Sequence, residues 1–263
     1  MIEVSTVDHV LRVTMNRPDK RNALSPDMLE GLRHAFDSAI DQDAVSVVLL
    51  RAEGPSFCAG YDLTGRYAEA GRPESPWVDR EHLRRMTQVI ESVWNCPLPV
   101  IAAVQGDCLA GGADLLLHCD FVVMAADARI AHPPTRFLGT PPSHLWVQRV
   151  GLDEARRILL LGEQLDAERA AARGFATTVV TVAELDLAAS EFAARLGSAA
   201  RELLISNKWL INRTIDLTGR TLLNRMAETE DALAHTSAAS RSFKERAVRE
   251  GLKAALPHQD SHP

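Results

Sequence analysis

Apolar and polar residues alternate in part from Ile2 to Met15, which predicts two short strands joined at Val7-Asp8-His9. A polar, basic stretch, NRPDKRNALS, ends at Ser25-Pro26, an N-cap residue followed by proline at the first helical position. Met28, Leu29, Leu32, Phe36 and Ile40 then recur at helical spacing, so a helix is expected over about 26–41. Residues 45–51, VSVVLLR, are almost continuously apolar, the pattern of a strand buried on both faces. FCAGYDL reads as a glycine turn leading into a further helix. Residues 65–77, rich in Gly, Pro and charge, read as a loop that helps to shape a pocket. A helix from about Val78 to Asn95 stops at Cys96-Pro97-Leu98-Pro99.

The rest of the chain is organised around Gly106 to Asp120, GDCLAGGADLLLHCD. VIAAV (Val100 to Val104) enters it as a strand, ADLLLHC leaves it as a helix, and Gly106, Gly111 and Gly112 mark close backbone approach between them. Phe121 to Ala125 is another buried strand, and ARIAHPPTRFLGTPP reads as a loop. Helical patterns at 143–149, 153–161 and 166–173 precede a short strand near Thr177 to Val182. From Glu184 onward the pattern is helical, interrupted near Gly197 and Gly219, with PHQDSHP a frayed end. Alternating strands and helices imply an α/β core, residues 1–195, carrying a C-terminal helical region, residues 196–263.

Charge and cysteine content narrow the chemistry. A formal net charge of -6 argues against non-specific binding to nucleic acid. Cys58, Cys96, Cys108 and Cys119 form neither a CxxC pair nor a metal-spaced cluster, so no metal is expected. No secretory pattern opens the chain and no apolar run reaches about 18 residues, so a cytoplasmic protein with reduced thiols and no membrane partner is expected. GxGxxG and P-loop patterns are absent, which removes the dinucleotide and nucleoside-triphosphate readings.

What remains is the pair of glycine turns. A helix N-terminus presents backbone N–H groups without intrahelical acceptors and the positive end of the helix dipole. Cys58-Ala59-Gly60-Tyr61 and Leu109-Ala110-Gly111-Gly112 can each offer one N–H to the same oxygen. Two such donors make an oxyanion hole, each contributing about 3 kcal/mol to a negatively charged transition state. Asp114, in the first turn after Gly111, is either an acid that suits the helix end or a catalytic carboxylate. Cys58 and Cys108 flank the turns without a His–acid pair and read as small buried residues, while Trp146 and Trp209 read as packing residues.

NRPDKRNALS, SFCAGYDL and AAVQGDCLAGGADLLLHCD, in this order and at these separations, resemble the crotonase (enoyl-CoA hydratase/isomerase) family over roughly residues 1–255. The resemblance implies a spiral of ββα units with C-terminal helices that assemble trimers, often stacked as hexamers. It implies an acyl-CoA substrate, with coenzyme A as part of the substrate and no further cofactor. The oxyanion N–H groups fall on Tyr61 and Gly111. Arg21 and Ala23 fall on the segment bordering CoA, with Lys20 beside it for phosphate. Ala59, Asp62 and Leu63 match positions around adenine and pantetheine, and Lys244 is a further candidate for a neighbouring subunit's CoA.

Family hydratases use two glutamates. The first falls on Asp114, one methylene shorter; the second falls near Pro134 or Thr135 in His132-Pro133-Pro134-Thr135-Arg136, which contains no acid. The two-carboxylate mechanism therefore does not carry over intact. Four accounts stay open. Asp114 acts alone, as in single-acid isomerases; His132, Tyr61, Thr135 or His144 supplies the missing group; the substrate differs; or the protein binds acyl-CoA without turning it over. Hydration of a trans-2-enoyl-CoA is the expected reaction, with double-bond isomerisation and non-catalytic binding as the alternatives.

Overall fold

The computed structural model describes residues 1–63 and 75–256. The first two strands, β1 (Ile2–Val7) and β2 (Val10–Met15), form an antiparallel hairpin. Helix α1 (Pro26–Asp37) starts where Ser25 accepts the Met28 N–H at 3.3 Å. It stops one turn before the expected end: Asp41 N–H bonds Ser38 O and Gln42 N–H bonds Ala39 O, so tight turns replace the helical ladder. Strand β3 (Val47–Ala52) leads to α2 (Pro76–Asn95), which begins two residues earlier than its apolar pattern suggested because proline suits the first helical turn. Strand β4 (Val100–Val104), strand β5 (Asp107–Leu109) and helix α3 (Gly111–Leu117) make up the central stretch, followed by β6 (Phe121–Ala125).

The loop expected over ARIAHPPTRFLGTPP contains a strand, β7 (Arg129–Ala131), and a 3-10 turn at Pro133–Arg136. Short helices α4 (Trp146–Val150) and α5 (Leu152–Arg156) continue into a π-helical turn at Arg157–Leu161. Strand β8 (Leu165–Asp166), helix α6 (Ala167–Ala172) and strand β9 (Thr178–Val180) complete the sheets. The C-terminal part holds α7 (Leu185–Gly197), α8 (Arg201–Asp216), α9 (Arg220–Ala234), α10 (Ala238–Glu250) and α11 (Leu252–Ala255). One expectation is corrected here. Phe57 to Leu63 is not itself helical: Cys58 bridges Cys108, Tyr61 bridges Leu24, and Asp62 and Leu63 are irregular, while the residues that follow lie outside the described ones. Most of the pocket-shaping loop expected at 65–77, and the end PHQDSHP, lie outside the described residues.

Among the described residues the larger sheet runs β1-β2-β3-β4-β6-β9, parallel from β2 onward, and the smaller runs β5-β7-β8. The near-continuous apolar runs of the sequence are explained by burial on both faces. Val48, Leu50, Ala102, Val104, Val122 and Met124 point to one core, shared with α1, α2 and α3. Their neighbours Val47, Leu49, Ile101, Ala103, Val123 and Ala125 point to a second core under Leu185, Ala189 and Ala193 of α7. Period-two alternation in β3, β4 and β6 thus feeds two layers at once.

Helix α9 runs antiparallel to α2 along a ladder of polar contacts. Arg220 Nη1 and Asn224 Nδ2 donate to Glu91 at 2.7 and 2.6 Å, Thr87 Oγ1 donates to Glu228 at 2.6 Å, and His235 Nδ1 meets Asp79 Oδ2 at 2.6 Å. Arg220 and the His118 ring hold the Glu91 carboxyl down at about 2, against its own burial. Helix α8 is pinned by Lys208, whose ammonium contacts Asp120 Oδ2 at 2.7 Å and Leu98 O at 3.0 Å. These ladders fix the end of α9 against the cavity described next.

Candidate active site

Four elements converge on the central stretch. Cys58 N–H donates to Asp107 O at 3.1 Å and Leu109 N–H to Cys58 O at 2.8 Å, so the two glycine turns lie side by side. A Cβ built on Gly60 (φ +95°) would meet Leu109 O at 3.0 Å and Gly111 N at 3.4 Å; only a residue without a side chain allows this approach. Ala110, between the strand and α3, has φ 48° and ψ -120°, a strained conformation for an L-residue immediately before Gly111. The Tyr61 ring packs on the Cα of Gly111. The donors expected from sequence, Tyr61 and Gly111, are therefore neighbours in space.

The basic segment laces along the first of these turns. Ala59 N–H donates to Arg21 O at 2.9 Å, Leu24 N–H to Gly60 O at 2.8 Å, and Asp62 N–H to Leu24 O at 3.0 Å. Asn22, fully buried, is the hub: its Oδ1 accepts from Arg17 N–H at 2.8 Å, and its Nδ2 donates to Glu53 O and Ser56 O at 2.9 Å each. Two carbonyls and one N–H depend on that single amide, and leaving each unsatisfied costs about 1–3 kcal/mol. Lys20 and Arg21 stand exposed at the rim, and Ala23 and Ala59 are half-buried. The Asp62 carboxylate pairs with Arg17 at 2.6 Å, which holds its side chain in the frame of the site.

A cavity of about 720 Å³ opens beside the turns. Its apolar wall includes Leu24, Leu29, Leu63, Met86 and Leu138, and its polar wall includes Tyr61, His132, Asp231 and His235. Strand β7 carries His132 there, because Ala131 pairs with Leu109 and accepts the Ala110 N–H at 2.9 Å.

The enoyl-CoA hydratase/isomerase family model matches residues 5–255. The chain belongs to that family. It is 34% identical over 238 residues to the probable enoyl-CoA hydratase EchA14 of Mycobacterium tuberculosis, covering 85% of this chain and 88% of that one. A crystal structure of an enoyl-CoA hydratase/isomerase from Xanthobacter autotrophicus Py2 is 33% identical, with a TM-score of 0.93, covering 100% of this chain and 98% of that one. A structure of enoyl-CoA hydratase from Mycobacterium smegmatis is 29% identical, with a TM-score of 0.92, covering 98% of this chain and 92% of that one. The crotonase fold expected from the motifs is the fold observed.

In this family member Asp114 is fully buried, and among the described residues neither carboxyl oxygen has a hydrogen-bond partner. Burial, reinforced by the Asp231 carboxylate, pushes its pKa well above the usual range. Ser143, buried alongside, works slightly the other way without reaching hydrogen-bonding geometry. The protonated acid is thus the favoured form. His132 is held neutral by burial, its pKa lowered to about 3, so it offers no imidazolium. His144 is also lowered by burial. Cys58 is pushed up to about 12 and Cys108 well above its ordinary value, both by burial, so neither thiol is a nucleophile. Lys244 donates to His235 O at 3.1 Å within its own chain.

Arg17, Asn22, Ser143, Asp231 and His235 were absent from the sequence-based set of site residues. Asn22 and Arg17 lie inside the basic motif, which was their only signal. Asp231 and His235 stand more than a hundred residues from Asp114 and carry no local signal.

Proposed function

We propose that this chain hydrates a trans-2-enoyl-CoA to the 3-hydroxyacyl-CoA. The observation that carries this reading is the pair of interlaced turns, which sets Gly111 and Tyr61 side by side three residues before a buried, proton-holding Asp114. The thioester oxygen takes hydrogen bonds from the Tyr61 and Gly111 N–H groups as negative charge develops on it. With a rise of about 1.5 Å per residue, Asp114 sits about 4.5 Å along the helix from Gly111, within reach of the α-carbon of the enolate. Membership of the family and the names of the relatives support the substrate class. The deciding experiment follows loss of crotonyl-CoA absorbance. Turnover supports hydration, whereas activity confined to 3-enoyl-CoA selects isomerisation, which the acid-free HPPTR segment favours. Tight acyl-CoA binding without product selects a binding protein.

The CoA moiety is assigned to the rim formed by Lys20, Arg21, Ala23, Ala59, Asp62 and Leu63. Lys20 and Arg21 are exposed beside the turn, where their charges meet phosphate without any cost of burial. The Lys20→Ala/Arg21→Ala double variant is expected to weaken acyl-CoA binding about tenfold, each surface contact being worth about 0.5–1 kcal/mol. Titration calorimetry at two salt concentrations checks this; unchanged affinity removes both residues from the site.

The assembly assigned is a homotrimer or a hexamer of stacked trimers. Its support is the apolar surface on the C-terminal helices: Leu203, Trp209, Leu210 and Ile211 on α8, and Leu222 and Met226 on α9, are each more than half exposed. Large apolar side chains exposed on these helices are the kind of surface that a subunit interface covers. Light scattering is expected to give three or six times the mass of one chain, and a monomer would count against it. Among the described residues no helix is long and apolar enough to cross a membrane.

A further inference from the structure

The cavity that Tyr61 borders is also lined by part of a buried acid–histidine–acid row that the reading above does not use. Asp79 on α2 meets His235 Nδ1 at 2.6 Å, and His235 Nε2 faces Asp231 Oδ1 at 3.5 Å. Each of the three is at least nine-tenths buried, yet Asp231 and His235 border the cavity. The loop after the HPPTR turn is shaped around them: Thr140 N–H donates to Asp231 Oδ1 at 2.8 Å, and any Cβ at Gly139 would collide with Asp231 Oδ1 and His235 Nε2. Among the described residues no such group has the geometry of a metal site. Asp231 is also close enough to Asp114 for its charge to act on that unpartnered carboxyl.

We propose that Asp231, from the C-terminal helix, is the second catalytic carboxylate, replacing the acid missing from the HPPTR segment, with His235 and Asp79 as its positioning residues. This rests on the hydratase reading. Two carboxylates held differently, Asp114 buried without a hydrogen-bond partner and Asp231 accepting the Thr140 N–H at the cavity wall, divide naturally into an acid and a base. Asp231 takes a proton from water as the water oxygen bonds to the β-carbon. The double-bond electrons move onto the thioester oxygen between the Tyr61 and Gly111 N–H groups. The enolate then returns those electrons and takes the Asp114 proton at the α-carbon. Asp231 ends protonated and Asp114 ionised, and proton exchange with solvent resets the pair. His82, Arg85 and Glu30 also border the cavity, and His132 stays neutral.

The test compares wild type with Asp231→Asn, which preserves shape and the Thr140 contact. Two reactions are followed: crotonyl-CoA hydration, and exchange of the α-protons of butyryl-CoA in D₂O, which needs the oxyanion hole and Asp114 but no water addition. The expected result is a fall in hydration kcat of about 10²–10⁴-fold with KM little changed, while α-proton exchange continues. The pH limb of exchange should also move to lower pH, because Asp114 no longer feels a neighbouring negative charge. Hydration within about threefold of wild type overturns the assignment and leaves the hydratase reading intact. Equal loss of hydration and exchange also overturns it, since that marks a structural role. Absence of turnover by wild type removes the hydratase reading and this assignment together.

Discussion

Replacing Asp114 by Asn is expected to lower crotonyl-CoA turnover by about 10²–10⁴-fold while making the protein more stable at neutral pH. The two effects have one cause. Asp114 is sealed from water without a hydrogen-bond partner, so ionisation there is unfavourable and the folded chain holds its proton tightly. In the unfolded chain the same residue ionises near 3.9. Between that pH and the raised folded value, the unfolded state gains by releasing the proton, and stability falls as pH rises. Asn has no proton to release. The Tm advantage of the variant should therefore be present at pH 7.5 and vanish below about pH 4, where both forms of Asp114 are protonated. Wild-type hydration should decline on the alkaline side, as the acid loses its proton. A lower Tm for the variant at pH 7.5 would mean that the carboxylate makes a stabilising contact, and the proton-donor role would fall.

Gly60→Ala is expected to damage the same reaction through geometry alone. Gly60 has φ +95°, where an L side chain costs about 1–3 kcal/mol. Its new methyl would press on Leu109 O at 3.0 Å and on Ala110 Cβ at 2.9 Å. Neither can retreat without moving Gly111 away from Tyr61. Losing one donor of an oxyanion hole lowers kcat by about 10²–10³-fold, so a fall of that order is expected. Binding of a saturated acyl-CoA should change much less, because Lys20 and Arg21 are exposed and are not among the groups nearest the new methyl. A reduced Tm with kcat intact would show that the oxyanion site is elsewhere.

Asn22 illustrates how far the linear pattern reaches. NRPDKRNALS marks a rim segment, but nothing in its spacing says that one amide holds a backbone N–H of the same segment and two carbonyls of the loop after β3. The three-residue strands β5 and β7 escaped because three residues hold no period, although their pairing is what brings His132 beside α3. Phe57 to Leu63 is a second case. A glycine turn before an apolar residue looks the same whether a helix follows or, as at Leu24↔Tyr61, another segment takes the backbone bonds.

The sequence by itself determined the α/β order, the two-faced burial of β3, β4 and β6, the helical C-terminal part, and the glycine turns with Asp114. All of these follow from local periodicity and from the few conformations open to glycine and proline. Only folding brings the two turns side by side and buries Asp114 without a hydrogen-bond partner. It also decided that α9 returns along α2 to set Asp231 and His235 in the cavity wall. Proton affinity depends on what surrounds a group within a few ångströms, and residues far apart in the chain supply those surroundings only after folding.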